Sequence, residues 1–190
     1  MDFSLSEELV ILRDTVRKFA EKEIAPHADK WDEAHHWPRD VILKMGEMGL
    51  FGAIIPEEYG GTGMGWLAFA IATEEIARAS SSLRVAFNMQ TAGTGVAILL
   101  HGTEEQKKKY LPGLCSGELI GCFAITEADA ASDVMSMKTT ARKDGDSYVF
   151  NGSKIWISNA QFADLALVYA FLSALSMLAE ARNDLPRASS

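Results

Sequence analysis

The sequence predicts an α+β protein, an N-terminal all-α helical bundle followed by an incomplete antiparallel β domain. Through the first two-thirds of the chain, apolar residues recur at helical spacing and polar capping residues stand at the helix starts. Beyond Gly117 that periodicity gives way to short apolar runs divided by turn dipeptides. No internal repeat or low-complexity stretch intervenes, so the textures read as consecutive units: a helical domain over residues 1–117, the start of a β domain over 118–171, and an unassigned tail over 172–190.

The elements follow in order. Leu5, Leu9, Leu12, Val16 and Phe19 fall on one helical face, with Glu7, Asp14 and Lys18 opposite, and Ser4 with Glu7 has capping-box spacing. After a connection at Pro26, Pro38 suits the first turn of a short helix through Met48, which Gly49 ends. The glycine-rich segment from Glu57 to Gly65 invites a phosphate-loop reading, but a dinucleotide fingerprint needs glycine where Trp66 stands, and no Lys-Ser or Lys-Thr follows. It reads as a turn between helices. Residues 66–79 and 83–101 make two further helices, and Thr103 with Gln106 caps a last one expected to end near Pro112.

Residues 119–125 form the first apolar run of strand character. Asp144-Gly145 and Asn151-Gly152 are hairpin signals, because both dipeptides tolerate the positive φ of a tight primed turn. They bracket a strand at 147–150, with another expected at 153–157 and one more within 163–171. From Leu172 the chain reads helical until Asn183-Asp184-Leu185-Pro186, and so departs from the β pattern; a sheet that stops there has unpaired edges and an uncovered apolar face.

Composition narrows the function. With 48% hydrophobic residues the chain can bury a sizeable core, and its net charge of −8, with Glu104 and Glu105 ahead of the longest basic run Lys107-Lys108-Lys109, argues against nucleic acid as a partner. Cys115 and Cys122 lie outside any Cys-x-x-Cys or metal-ligand spacing and read as free thiols in a reducing compartment. His35 and His36 are adjacent and do not share a helical face, so no metal site is expected. The N-terminus lacks the basic and apolar regions of a secretory signal, and the uncharged stretch 165–179 falls short of the roughly 20 residues that cross a bilayer. A cytoplasmic protein without a membrane anchor is the expectation.

Two segments carry candidate chemistry. In Phe123-Ala124-Ile125-Thr126-Glu127-Ala128-Asp129-Ala130-Ala131-Ser132-Asp133 a strand ends in a loop of small and polar residues. Thr126 and Ser132 can donate to a carbonyl or ring acceptor, and Ala130 and Ala131 let backbone amides approach it; a plain polar turn explains the same residues. In Ser153-Lys154-Ile155-Trp156-Ile157-Ser158-Asn159-Ala160 a strand would place Trp156 and Ser158 on one face. An indole and a hydroxyl pointing together suit the edge of a planar conjugated cofactor, although a core tryptophan accounts for Trp156 equally well.

These two motifs, about thirty residues apart and preceded by Pro56-Glu57-Glu58-Tyr59-Gly60-Gly61, resemble the acyl-CoA dehydrogenase family from about Leu5 to about Ala170. The resemblance implies FAD as cofactor. It implies that Phe123, Ile125 and Thr126 lie along the flavin, that Ala131 and Ser132 meet the cofactor, with Ser132 also near the acyl-CoA chain, and that Trp156, Ile157 and Ser158 cover the ring. Ala128 stands where the family usually has proline and Ala131 where it has glycine. The reaction implied is removal of an α proton by a glutamate while the β hydrogen leaves as hydride to flavin, with electrons passing on to an electron-transferring flavoprotein. That base belongs in the family to a C-terminal helical domain which this sequence is expected to lack, so no residue here is assigned a catalytic role, Glu127 included. A truncated dehydrogenase is the resulting expectation, with an acyl-CoA-binding or partner-binding fragment as the alternative. Glutaryl-CoA or a short-chain acyl-CoA is the expected substrate class, and homo-oligomerisation is expected of the full-length form.

Overall fold

The computed structural model describes residues 4–172. These divide into two compact units, one of residues 4–123 with 158–166, the other of 124–157 with 167–172.

The first unit is helical. Helix α1 (Glu7–Phe19) is capped by Ser6, whose hydroxyl accepts from the Leu9 amide at 3.4 Å, and not by the expected Ser4. A start at Ser6 sets Glu7 and Glu8 in the first turn, where the helix dipole favours carboxylates. The helix runs on through a π-helical turn, Ala20–Ile24, and buries Val16, Ala20 and Ile24. After α2 (Ala28–Glu33), Pro38 precedes α3 (Arg39–Glu47), and Gly49 takes the left-handed conformation, φ 72°, just beyond its end. Helix α4 spans Trp66–Ala79.

The helix expected at 83–101 begins earlier and is not uniform. Ser80 caps α5 (Ser81–Asn88), a π-helical stretch Met89–Gly95 follows, and α6 (Val96–His101) completes it. Helix α7 (Glu104–Ser116) opens with the full Thr103–Gln106 capping box and ends at Gly117, φ 73°, passing through Pro112 where a stop was expected. Burial explains the continuation: Leu111, Leu114 and Cys115, at 0, 2 and 5% exposure, anchor the helix on both sides of the proline, which outweighs one lost hydrogen bond. Thr103→Ala is expected to cost about 1 kcal/mol through loss of the cap, read as a lowered urea midpoint with an unchanged slope.

The core of this unit joins Val16, Ile24, Ile42, Met45, Phe51 and Phe87. Phe87 lies between Phe51 and Phe69, with ring centroids 5.5 and 5.2 Å away. The segment 57–65 is a turn, as expected, with Gly60, Gly63 and Gly65 at positive φ. No helix among the described residues is long and apolar enough to cross a membrane.

Strands β1 (Gly121–Ala124) and β4 (Leu165–Val168) form a two-stranded sheet. In the second unit β2 (Thr140–Asp144) and β3 (Ser147–Asn151) make an antiparallel hairpin registered from Thr140 opposite Asn151 to Asp144 opposite Ser147. The loop residues are therefore Gly145-Asp146, one step later than the Asp144-Gly145 pair expected. Gly145 alone has positive φ, 62°, which is the pattern of a type II′ turn. Asn151-Gly152 makes no hairpin, and no strand forms at 153–157. A Cβ on Gly152 would lie 2.4 Å from Thr139 Oγ1, so this glycine serves close packing rather than chain reversal. Strand β5 (Phe171–Leu172) joins β2 in parallel, making the three-stranded sheet β3-β2-β5 mixed where an antiparallel one was expected. Tyr148, Val149 and Phe150 of β3 are all about half exposed, as expected of a sheet with an uncovered face. The expected helical tail lies outside the described residues.

Candidate functional site

In the helical unit, buried Gln90 of the π-helical stretch donates through Nε2 to Leu114 O at 3.0 Å and Leu119 O at 2.7 Å, and its Oε1 accepts from Gly121 N at 2.7 Å. It holds the exit of α7 and the entry of β1 against one helix. Asn159, in the left-handed conformation at φ 68°, donates to Gly121 O at 3.2 Å and Ala86 O at 3.1 Å. Two candidate residues are placed by this frame. Phe123 leaves β1 against Gly93, where an added Cβ would come within 3.2 Å of the phenylalanine Cβ, and half-buried Ser158 directly precedes Asn159.

The second unit holds the other candidates. The backbones of Glu127 and Ala130 exchange hydrogen bonds at 2.8 and 3.2 Å, closing a four-residue turn with Ala128 and Asp129 at its tip. Ala128, where proline was the family's residue, thus occupies the turn position that proline favours, and the turn closes without it. Ala130 is buried, while Ala131, Ser132 and Asp133 follow in the open.

Glu127 organises this loop, a role that reading the sequence missed. Only 6% exposed, its carboxylate accepts from the Lys138 amide at 2.6 Å, the Thr139 amide at 2.9 Å, the Thr139 hydroxyl, and Lys154 Nζ at 2.8 Å. These donors, the Lys138 amide foremost and then Lys154, hold the Glu127 carboxyl down to about 2. Lys154 Nζ also donates to Ile125 O at 2.9 Å, and the Ile155 amide donates to Thr126 O at 3.0 Å. The segment of Ile125 and Thr126 is thereby tied to the segment that leads into Trp156 and Ile157.

The expected strand pairing of Trp156 with Ser158 is overturned. Trp156 has a φ of 55°, in the left-handed region, which breaks the period-two alternation of a strand, and the indole is 89% exposed. Nor is it a core tryptophan. Ile125, Thr126 and Ile157 are half-buried. Only the spacing of the two motifs hinted at the Glu127–Lys154 pair, because nothing local marks a glutamate and a lysine 27 residues apart as partners. Among the described residues no group of three or more histidines, cysteines or acidic residues could hold a metal ion.

A helical unit followed by short strands, with two strand-exit segments tied through one buried carboxylate, defines an α+β protein. The N-terminal domain of acyl-CoA dehydrogenases matches residues 6–118, and the middle domain of the same enzymes matches residues 122–183. The chain belongs to the acyl-CoA dehydrogenase family. It is 55% identical over 174 residues to a glutaryl-CoA dehydrogenase of Desulfococcus multivorans, covering 90% of this chain and 45% of that protein. The fold superposes on a glutaryl-coenzyme A dehydrogenase in complex with glutaryl-CoA with a TM-score of 0.86 at 55% identity, over 90% of this chain and 44% of that one. A glutaryl-CoA dehydrogenase from Mycobacterium smegmatis in complex with FADH2 gives a TM-score of 0.85 at 32% identity, over 89% and 44% of the two chains. The chain thus spans less than half the length of these relatives.

Proposed function

We propose that this chain carries the flavin-facing segments of an acyl-CoA dehydrogenase, whose whole protein introduces an α,β double bond into an acyl-CoA thioester. The observation that carries the reading is the tie between the two motif segments, the Ile155 amide on Thr126 O at 3.0 Å. FAD fits these residues: an 89% exposed tryptophan stands on a segment bonded to one that offers a threonine hydroxyl and an open loop of small residues. When bound, FAD supplies the two-electron acceptor for the β hydrogen.

In this reading Phe123, Ile125 and Thr126 line the flavin, Trp156, Ile157 and Ser158 cover its ring, and Ala131 and Ser132 meet the cofactor, with Ser132 also touching the acyl-CoA. Glu127 is not the base that takes the α proton, since its oxygens already accept from four donors. The substrate proposed is a short or dicarboxylic acyl-CoA, glutaryl-CoA first, which the 55% identity to a glutaryl-CoA dehydrogenase supports. An electron-transferring flavoprotein as electron acceptor, a cytoplasmic location, homo-oligomerisation of the whole protein, and domain limits at 1–117 and 118–171 belong to the same proposal.

The test is the visible spectrum of the purified chain after mixing with FAD and desalting. A retained flavin band with resolved vibrational structure is expected, and a colourless protein would sink the assignment. Bleaching on addition of glutaryl-CoA would mark turnover. That the chain spans less than half the length of its relatives favours a second reading, a non-catalytic acyl-CoA-binding or partner-binding chain, which predicts affinity for the CoA thioester without bleaching.

A further inference from the structure

We infer that Lys154 is a positioning residue whose ammonium holds the segment that carries Trp156 against residues 125–127, and so places the indole relative to a bound flavin; the flavin part of this inference rests on the function proposed above. A left-handed φ is rare for a residue with a side chain and persists where the surroundings over-determine it. Packing of the indole does not hold Trp156 there, because the side chain is 89% exposed. What is fixed is the chain just before it. Lys154 Nζ bonds Ile125 O at 2.9 Å and Glu127 Oε1 at 2.8 Å, and the Ile155 amide bonds Thr126 O at 3.0 Å. Three bonds within two residues pin the chain at 154–155 to the segment 125–127, which sets where Trp156 begins.

The anchor on the other side of these bonds is independent of Lys154. Glu127 keeps the Lys138 and Thr139 amides and the Thr139 hydroxyl when the lysine is removed, so the loop 127–139 stays closed while 154–156 is left on the single Ile155 amide bond to Thr126 O. This separates positioning from folding. The side chain of Lys154 is only 11% exposed, and methionine is a near-isosteric replacement that deletes the ammonium with its charge and its two hydrogen bonds.

The experiment compares the full chain with its Lys154→Met and Lys154→Arg variants, with Trp156→Phe used to assign the Trp156 indole N–H by NMR. Lys154→Met is expected to shift or broaden that indole resonance and to weaken FAD retention on the order of tenfold, as loss of pre-organisation does. The Lys138 and Thr139 amides should keep their hydrogen-exchange protection, and Lys154→Arg should restore both the resonance and most of the retention. An unchanged indole signal in Lys154→Met, or loss of amide protection along with it, would overturn the inference. If the unaltered chain retains no FAD, the flavin reading fails by itself, and the indole resonance then decides alone: a shift upholds the positioning role and no shift rejects it.

Discussion

Gly46→Ala is expected to destabilise the helical unit by about 3 kcal/mol, although alanine is the better helix former. In the interior of an exposed helix this substitution would gain up to about 1 kcal/mol. Here a Cβ would stand 1.9 Å from Ser116 O and 2.4 Å from Ser116 C. These are backbone atoms at the end of α7, with no rotamer through which to retreat, so α3 and α7 must separate. The separation is resisted from both sides. Val41, Ile42 and Met45 are buried on α3, and Arg39 at its start donates to Gly117 O and Glu118 O, each at 2.7 Å. A lowering of the melting temperature by about 6–12 °C is the expected readout. A rise would mean that helix propensity wins and that the close approach of the two helices is not needed.

Acid is expected to open the second unit before the first, through Glu127. Its carboxyl is held down to about 2 from an ordinary 4.5, so the folded form favours the carboxylate and the unfolded chain takes up the proton first. The sign follows: the stabilisation is complete above pH 4.5, declines as pH falls, and is gone below about 2. Hydrogen exchange at the Lys138 and Thr139 amides, which Glu127 accepts directly, should lose protection across that window while amides of α5, a helix without carboxylates, keep theirs. Glu127→Gln should flatten the pH dependence and leave the loop weakly protected at neutral pH, since an amide group must turn a donor toward one of the donors that the carboxylate accepts. Equal acid sensitivity in Glu127→Gln and the unaltered chain would show that other carboxylates govern the unit.

What could be read along the chain were features written in neighbouring residues. The Thr103–Gln106 box, Gly49 after α3, and α4 from Trp66 to Ala79 each depend on contacts within a turn or two and are found as expected, while Pro38 stands one place earlier than expected, as the cap of α3 and not in its first turn. Where the reading slipped, a more distant contact outweighed a local preference. Pro112 does not end α7 because buried neighbours anchor both sides of it, and Gly152 closes no hairpin because Thr139 lies against it. The same holds at the candidate site. The two motifs could be recognised and their kinship to acyl-CoA dehydrogenases named, yet the strand that was to align Trp156 with Ser158 is absent.

By itself, then, the sequence determined most of the helices (though not α2, within the expected connection), the change to strands after Gly117, and the family, because helix periodicity, capping and motif residues are short-range patterns. Only the tertiary structure decided that Glu127 is a buried acceptor, that Lys154 bridges it to Ile125, and that Trp156 stands in the left-handed region with its indole exposed. Burial, and hydrogen bonds between residues 11 to 29 positions apart, exist only once the chain has closed on itself, and they set the charge of the glutamate and tie the segment that leads into the tryptophan.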